Sequence, residues 1–151
     1  MHQIAADGKE VEAVLGLIQR AFASMDGRIS PPSSMHRLTV DDVSQQARDG
    51  EVWAIGEPVV ACVFMVPRVD SLYIGKLAVD EAARGRGHAR ALVEQAEVRA
   101  RALGLERLEL MTRVELRENH RVFEKLGFEK TGESAHEGFE QATSFTFAKW
   151  L

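Results

Sequence analysis

The sequence predicts one α/β (α+β) domain in which helices flank a central mixed, mostly antiparallel sheet. Three observations carry that expectation. Helical periodicity dominates the first fifty residues, β-type segments joined by short turns follow, and a single strand–helix–strand crossover comes after them. Such a crossover is the connection that parallel neighbours require, so the sheet must be mixed. No repeat, low-complexity tract or linker divides the 151 residues, and residues 1–151 read as one domain.

His2 to Ala5 reads as a short first strand. Asp7 and Glu10 fit a capping box, and Val11, Val14, Leu15, Ile18 and Phe22 then lie on one helical face. Met25 to Arg37 holds Gly27, Pro31 and Pro32 and reads as a loop. Thr39 is placed to cap a second helix carrying Val40, Val43 and Ala47, with Gly50 stopping it. Glu51–Ile55 and Val59–Val66 form paired strands around Gly56-Glu57-Pro58. The second strand is apolar on both faces and belongs in the centre of the sheet. Leu72–Val79 is a fourth strand, with Gly75 the expected site of a bulge. A glycine turn at Arg84–Gly87 opens a long helix with Ala89, Leu92, Val93, Ala96, Ala100 and Leu103 on one face, stopped by Gly104. Leu108–Thr112 is the fifth strand, Glu118–Leu126 a helix ended by Gly127, and Ser144–Trp150 the last strand.

Composition excludes several classes. The chain is 45% hydrophobic and 28% charged with a net charge of −4, which is the make-up of an ordinary globule. The single cysteine, Cys62, cannot form an internal disulfide, and no Cys/His cluster has metal-ligand spacing, so no metal is expected. No apolar run is long enough for a membrane span, and MHQIAADGKE lacks the apolar core of a signal peptide. The expected location is therefore cytoplasmic. The acidic balance argues against nucleic acid as a partner.

The charge is uneven. Arg84, Arg86, Arg90, Arg99 and Arg101 against Glu94 and Glu97 give residues 84–101 a net +3, while every other segment is acidic. This island lies where a strand feeds a glycine turn into a helix. Helix N-termini present unpaired N–H groups and a partial positive charge that attract phosphate. Gly85 and Gly87 permit close approach of the backbone to a ligand. A Walker A loop would need a lysine followed by Ser or Thr, and none occurs; a dinucleotide fingerprint would need glycine where Arg90 stands.

The turn does match the Q/R-x-x-G-x-G/A pattern of the GNAT N-acetyltransferase superfamily, filled by Arg84, Gly87 and Ala89 after an LAVD strand end. ENHRVFEKLGF (Glu118–Phe128) resembles the family's segment after the fifth strand, and FAKWL resembles its final strand. The resemblance implies a sheet splayed between the fourth and fifth strands, with acetyl-CoA as co-substrate entering the gap. It implies that the backbone of Leu77, Ala78 and Val79 pairs with the pantetheine arm. It implies too that the amides of Arg84, Gly85, Arg86, Gly87, His88 and Ala89 cradle the pyrophosphate, that Asn119 lies near the pantetheine arm, and that the helix from 118, which carries Phe123, flanks the thiol end. The implied reaction is direct attack of a primary amine on the thioester, with a backbone N–H at Leu77 facing the developing oxyanion.

The family position that usually holds tyrosine, a proposed acid for the departing thiolate, is Phe123 here. Candidate proton acceptors are Tyr73 on the fourth strand, Glu115 and Glu118 around the turn after the fifth, and His136 and Glu137 in SAHEGFEQA. His120 reads as a surface helix residue, His88 as a helix opener, Cys62 as core, and Trp53 and Trp150 as packing residues. Acceptor specificity in the family comes from segments that here are Phe22–Arg37 and Glu133–Ala142, whose Asp26, Glu133, Glu137 and Glu140 would suit a cationic amine. Homodimers are frequent in the family, and a homodimer stays open. The alternative to an N-acetyltransferase is a non-catalytic acyl-CoA-binding or sensing module, motivated by Phe123.

Overall fold

A computed structural model describes all 151 residues. Seven strands form one sheet: β1 (His2–Gln3), β2 (Glu51–Ile55), β3 (Ala61–Pro67), β4 (Ser71–Val79), β5 (Arg107–Arg113), β6 (Glu129–Ser134) and β7 (Ser144–Trp150). Their spatial order is β1-β2-β3-β4-β5-β7-β6, and only the β4–β5 pair is parallel. Four helices, α1 (Val11–Ala23), α2 (Val40–Asp49), α3 (His88–Ala102) and α4 (Arg117–Lys125), complete the architecture. The mixed, mostly antiparallel sheet agrees with the expectation.

The central strands are apolar on both faces because each face has its own core. Val63 and Met65 of β3 pack with Leu72, Leu92, Val93, Ala96, Leu108 and Phe147 on the α3 side. Cys62 and Phe64 join Val11, Val14, Leu17, Ile18, Val43 and Val52 on the side of α1 and α2. The two-residue alternation of a strand thus sorts one apolar run between two layers of helix.

Helix ends follow local chemistry. Thr39 Oγ1 accepts from the Asp42 amide and Asp42 accepts from the Thr39 amide, a complete capping box on α2. After α3 and α4 the chain closes on itself: Leu105 N donates to Ala100 O at 2.9 Å, and Phe128 N to Phe123 O at 3.0 Å. Lys149 Nζ donates to Leu126 O at 2.9 Å and pairs with Glu97 at 2.8 Å, so β7 ties the end of α4 to α3.

Several local expectations need correction. Asp7 does not cap α1: the helix begins at Val11 with Glu10 at its N-cap and no side-chain cap bond. Glu10 instead accepts from His2 at 2.8 Å, pinning the short edge strand to the helix start. The first strand stops at Gln3, and β3 begins at Ala61 rather than Val59. The loop before α2 contains a 3-10 turn at Ser34–Arg37. β6 lies outside the expected strands, since EKTGES shows no apolar alternation. Trp150 is 54% exposed and lies outside both cores, while Trp53 packs on the α3-side core. No helix is long and apolar enough to cross a membrane.

Candidate active site

The parallel pairing of β4 and β5 stops early. Ser71, Leu72 and Tyr73 pair with Arg107, Leu108 and Glu109, and from there the two strands separate. Ile74 to Val79 therefore keep an edge toward β5 that no strand covers. Such an edge offers unpaired N–H and C=O groups to an extended ligand.

Opposite, the register of β4 with β3 slips by one residue. Cys62 faces Ala78 and Phe64 faces Gly75, so Lys76 and Leu77 together oppose Val63. This is a bulge, one or two residues beyond the Gly75 expected. The positive φ it contains (51°) falls on Lys76, not on the glycine. A non-glycine residue in this conformation is uncommon, and at a bulge it re-aims the neighbouring side chains and amides.

The divergence opens two adjoining cavities. The larger, about 650 Å³, is lined by Leu77, Ala78 and Val79, by Arg84, Gly85, Gly87, His88, Ala89 and Arg90, and by one side of α4. The smaller, about 350 Å³, lies toward Tyr73, Lys76 and the ends of β5 and β7. Six residues line both: Phe22, Met25, Leu77, Leu116, Asn119 and Phe123. A molecule in one cavity meets a molecule in the other at that shared wall.

The glycine turn suits an anion. Gly85 (φ 79°) and Gly87 (φ 80°) adopt the left-handed conformation, and Gly87 is the N-cap of α3. A Cβ at either would find no atom within 4 Å, so the turn lies open on its outer side. The first-turn amides of α3 and the charges of Arg84 and Arg90 converge there. None of the chain's ion pairs uses Arg84, Arg86 or Arg90. Arg86 is the one residue of the expected cradle that does not line the cavity.

The α1–α2 loop crosses this region and is fastened to its far side. Arg28 donates to Glu118, Ser30 N to Glu115 Oε2 at 2.9 Å, and Arg113 Nη1 to Pro31 O at 2.7 Å. Glu115 and Glu118 are thereby engaged in structure. The Glu118 carboxyl lies below the ordinary range, held there by a backbone hydrogen bond and by Arg28.

Tyr73 lines the smaller cavity, with the Arg68 guanidinium 4.0 Å from its ring centroid. Burial raises its phenol pKa, the nearby Glu109 adding to the rise. At neutral pH Tyr73 therefore keeps its proton and presents a donor, which counts against it as a base. His120 is only partly exposed: its Nε2 bonds Arg113 O at 2.9 Å, and its ring lies 5.2 and 5.7 Å from those of Phe145 and Phe147. Phe123 packs edge-on to Phe128 at 6.0 Å. His136 lines the smaller cavity and contacts Thr143 Oγ1 through Nδ1. Cys62 is fully buried, which pushes its thiol up to about 12 and leaves it inert as a nucleophile.

The acidic residues expected to suit a cationic acceptor do not reach the cavity. Asp26 pairs with His36 at 2.9 Å and Glu133 with Lys130 at 2.6 Å, while Glu137 and Glu140 are exposed in the β6–β7 loop. The charged groups lining the smaller cavity are Lys76 and Arg113, with His136 beside them. Lys76 had no signal in the sequence, because a lone lysine on a strand carries no motif. No group of three or more His, Cys, Asp or Glu side chains is placed to hold a metal ion.

Comparison with known proteins agrees with this geometry. The sequence profile of the acetyltransferase (GNAT) family matches residues 19–128. The chain belongs to the GNAT acetyltransferase family. No curated protein matches it in sequence. Among solved structures, an acetyltransferase from Streptococcus agalactiae 2603 superimposes with a TM-score of 0.77 at 20% identity, covering 99% of this chain and 96% of that one. A GNAT family acetyltransferase from Elizabethkingia anophelis with acetyl-CoA bound gives 0.69 at 16% identity over 99% and 96%. An aminoglycoside 6'-N-acetyltransferase complexed with coenzyme A gives 0.78 at 13% identity over 99% and 95%. At these identities the likeness is one of fold.

Proposed function

We propose that the chain is an acetyl-CoA-dependent N-acetyltransferase that moves an acetyl group to a primary amine. The observation carrying this reading is the pair of adjoining cavities that meet at Leu77, Asn119 and Phe123. The larger receives acetyl-CoA. The pyrophosphate lies on the amides from Arg84 to Ala89, Arg90 adds charge, and the pantetheine arm pairs with the open edge of β4 from Leu77 to Val79. The thioester then reaches the shared wall. The smaller cavity holds the amine.

The neutral amine attacks the thioester carbonyl carbon, the C–N bond forms and the C–S bond breaks. Negative charge gathers first on the carbonyl oxygen. The N–H of Leu77, which like Lys76 has no Cα partner in the β3 register, is the donor assigned to that oxygen. The amine's proton leaves to solvent through the cavity, and the sulfur departs as a thiolate. Phe123 cannot protonate it. A thiol is acidic enough (pKa about 8.5) to leave without an acid.

Phe123 also favours a second reading, a module that binds acyl-CoA without turnover. The two separate on one experiment: thiol release from acetyl-CoA across an amine panel, beside calorimetry of CoA binding. Release with an amine supports the transferase. Binding with no release across the panel overturns it in favour of the sensor.

A further inference from the structure

The smaller cavity is unusual for a site meant to receive an amine, since its charged lining is cationic. Lys76 and Arg113 line it from β4 and β5, His136 adds a ring from the β6–β7 loop, and no aspartate or glutamate is among its lining residues. We propose that the acceptor is an amino carboxylate, a small molecule carrying both a primary amine and a carboxylate, and that Lys76 binds the carboxylate. This rests on the transferase reading above.

Four observations support it. First, Lys76 takes a left-handed backbone (φ 51°) at the β4 bulge, and it is the charged residue immediately beside Leu77. A charge fixed there lies next to the wall shared with the larger cavity, so an acceptor bound through its carboxylate has its amine close to the thioester. Second, Lys76 forms no ion pair, although it is half-buried. Burial alone disfavours its cation, which an anionic ligand would restore. Third, Arg113 spends its hydrogen bonds on the carbonyls of Pro31 and Pro32, at 2.7 and 3.4 Å. Those bonds leave its charge uncancelled by a carboxylate contact, although Glu115 lies near enough to be felt. Fourth, about 350 Å³ is at the small end of ligand sites (~300–1,000 Å³) and the loop fastened at Arg28, Ser30 and Pro31 crosses the region. Ile29, Met35, Leu110 and Leu116 provide an apolar wall for the rest of the molecule. A polyamine or an aminoglycoside would place further cations against Lys76 and Arg113, which is unfavourable at short range.

The test follows thiol release from acetyl-CoA with the twenty amino acids, each beside its carboxamide and its decarboxylated amine, and with spermidine. At least one amino acid is expected to exceed its amide and amine in kcat/KM by roughly 10–100-fold, the gain of a charge-assisted contact. Lys76→Met should erase that preference through KM, and Lys76→Arg, which can bind a carboxylate but cannot serve as a base, should keep most of it. CoA binding by calorimetry and the melting temperature report that each variant is folded. Release with spermidine, amides or simple amines but with no amino acid overturns this inference and leaves the transferase standing. No release with any acceptor overturns both. Equal losses for acid and amide in Lys76→Met and in Lys76→Arg would assign Lys76 to the chemistry and overturn the carboxylate role.

Discussion

Arg28 of the α1–α2 loop donates to Glu118 at the start of α4, ninety residues on, and both side chains line the larger cavity. With Ser30 on Glu115 and Arg113 on Pro31, this contact holds the loop against the β5–α4 junction. Both partners of the pair are about half exposed, so its share of global stability is small, ~0–1 kcal/mol. Its effect is local. In Arg28→Ala the melting temperature should fall by no more than about 4 °C, while amide exchange across residues 25–37 accelerates several-fold, Ser30 included. Unchanged exchange would show that the loop is held without Arg28.

A second pair acts on the fold as a whole. Glu51, only 8% exposed, accepts from Arg99 Nε and Nη2 at 2.8 and 2.9 Å and from Trp53 Nε1 at 2.8 Å. Burial alone would raise its pKa, but the hydrogen bonds from Arg99 and Trp53 outweigh it and hold the carboxyl below the ordinary range. A depressed pKa stabilises the fold above the unfolded value, about 4.3, and that contribution disappears as pH falls through the folded value. Glu51→Gln should therefore lower stability near neutral pH by about 1–2 kcal/mol, a buried-pair loss reduced by the partial exposure of Arg99. Urea unfolding at pH 7 and pH 3.5 should show the gap between wild type and variant narrowing in acid. A gap that widens in acid would contradict the assignment.

Phe123 sets a kinetic expectation. Its ring packs on Phe128 and Phe147, so a tyrosine can keep those contacts if its hydroxyl points into the shared wall. On the proposed mechanism the thiolate leaves unaided, so Phe123→Tyr should change kcat by less than about threefold, whereas a missing general acid restored would give ~10²–10⁴. Steady-state rates with a good acceptor decide between them.

Much of this fold was legible in the sequence because its signals are local. The Thr39 cap, the stops at Gly104 and Gly127 and the apolar β3 each depend on residues only a few positions apart. β6 escaped because an edge strand exposed on both faces needs no alternation. The bulge was placed beside its true position because glycine is the usual marker of positive φ, and Lys76 carries it here. His120 looked solvated because the rings that enclose it, Phe145 and Phe147, arrive from β7. The polarity of the smaller cavity was hidden for the same reason. Lys76, Arg113 and His136 converge from three separate segments, while the acidic residues adjacent in sequence turn elsewhere. The larger cavity, by contrast, is built mostly from one short run of chain, and ten of the eleven residues named from 77 to 123 line it together with Arg90 and Glu118, Arg86 being the exception.

The central claim is that the turn at Arg84–Ala89 holds the pyrophosphate of acetyl-CoA. Calorimetry of CoA against wild type and Gly87→Trp tests it most directly. A Cβ at Gly87 would meet no atom within 4 Å, and the left-handed conformation there adds a backbone cost of roughly 1–2 kcal/mol for any other residue. Binding by the wild type, and none by a Gly87→Trp protein that still melts cooperatively, is the predicted result. CoA binding that survives in the variant would contradict the placement of the site.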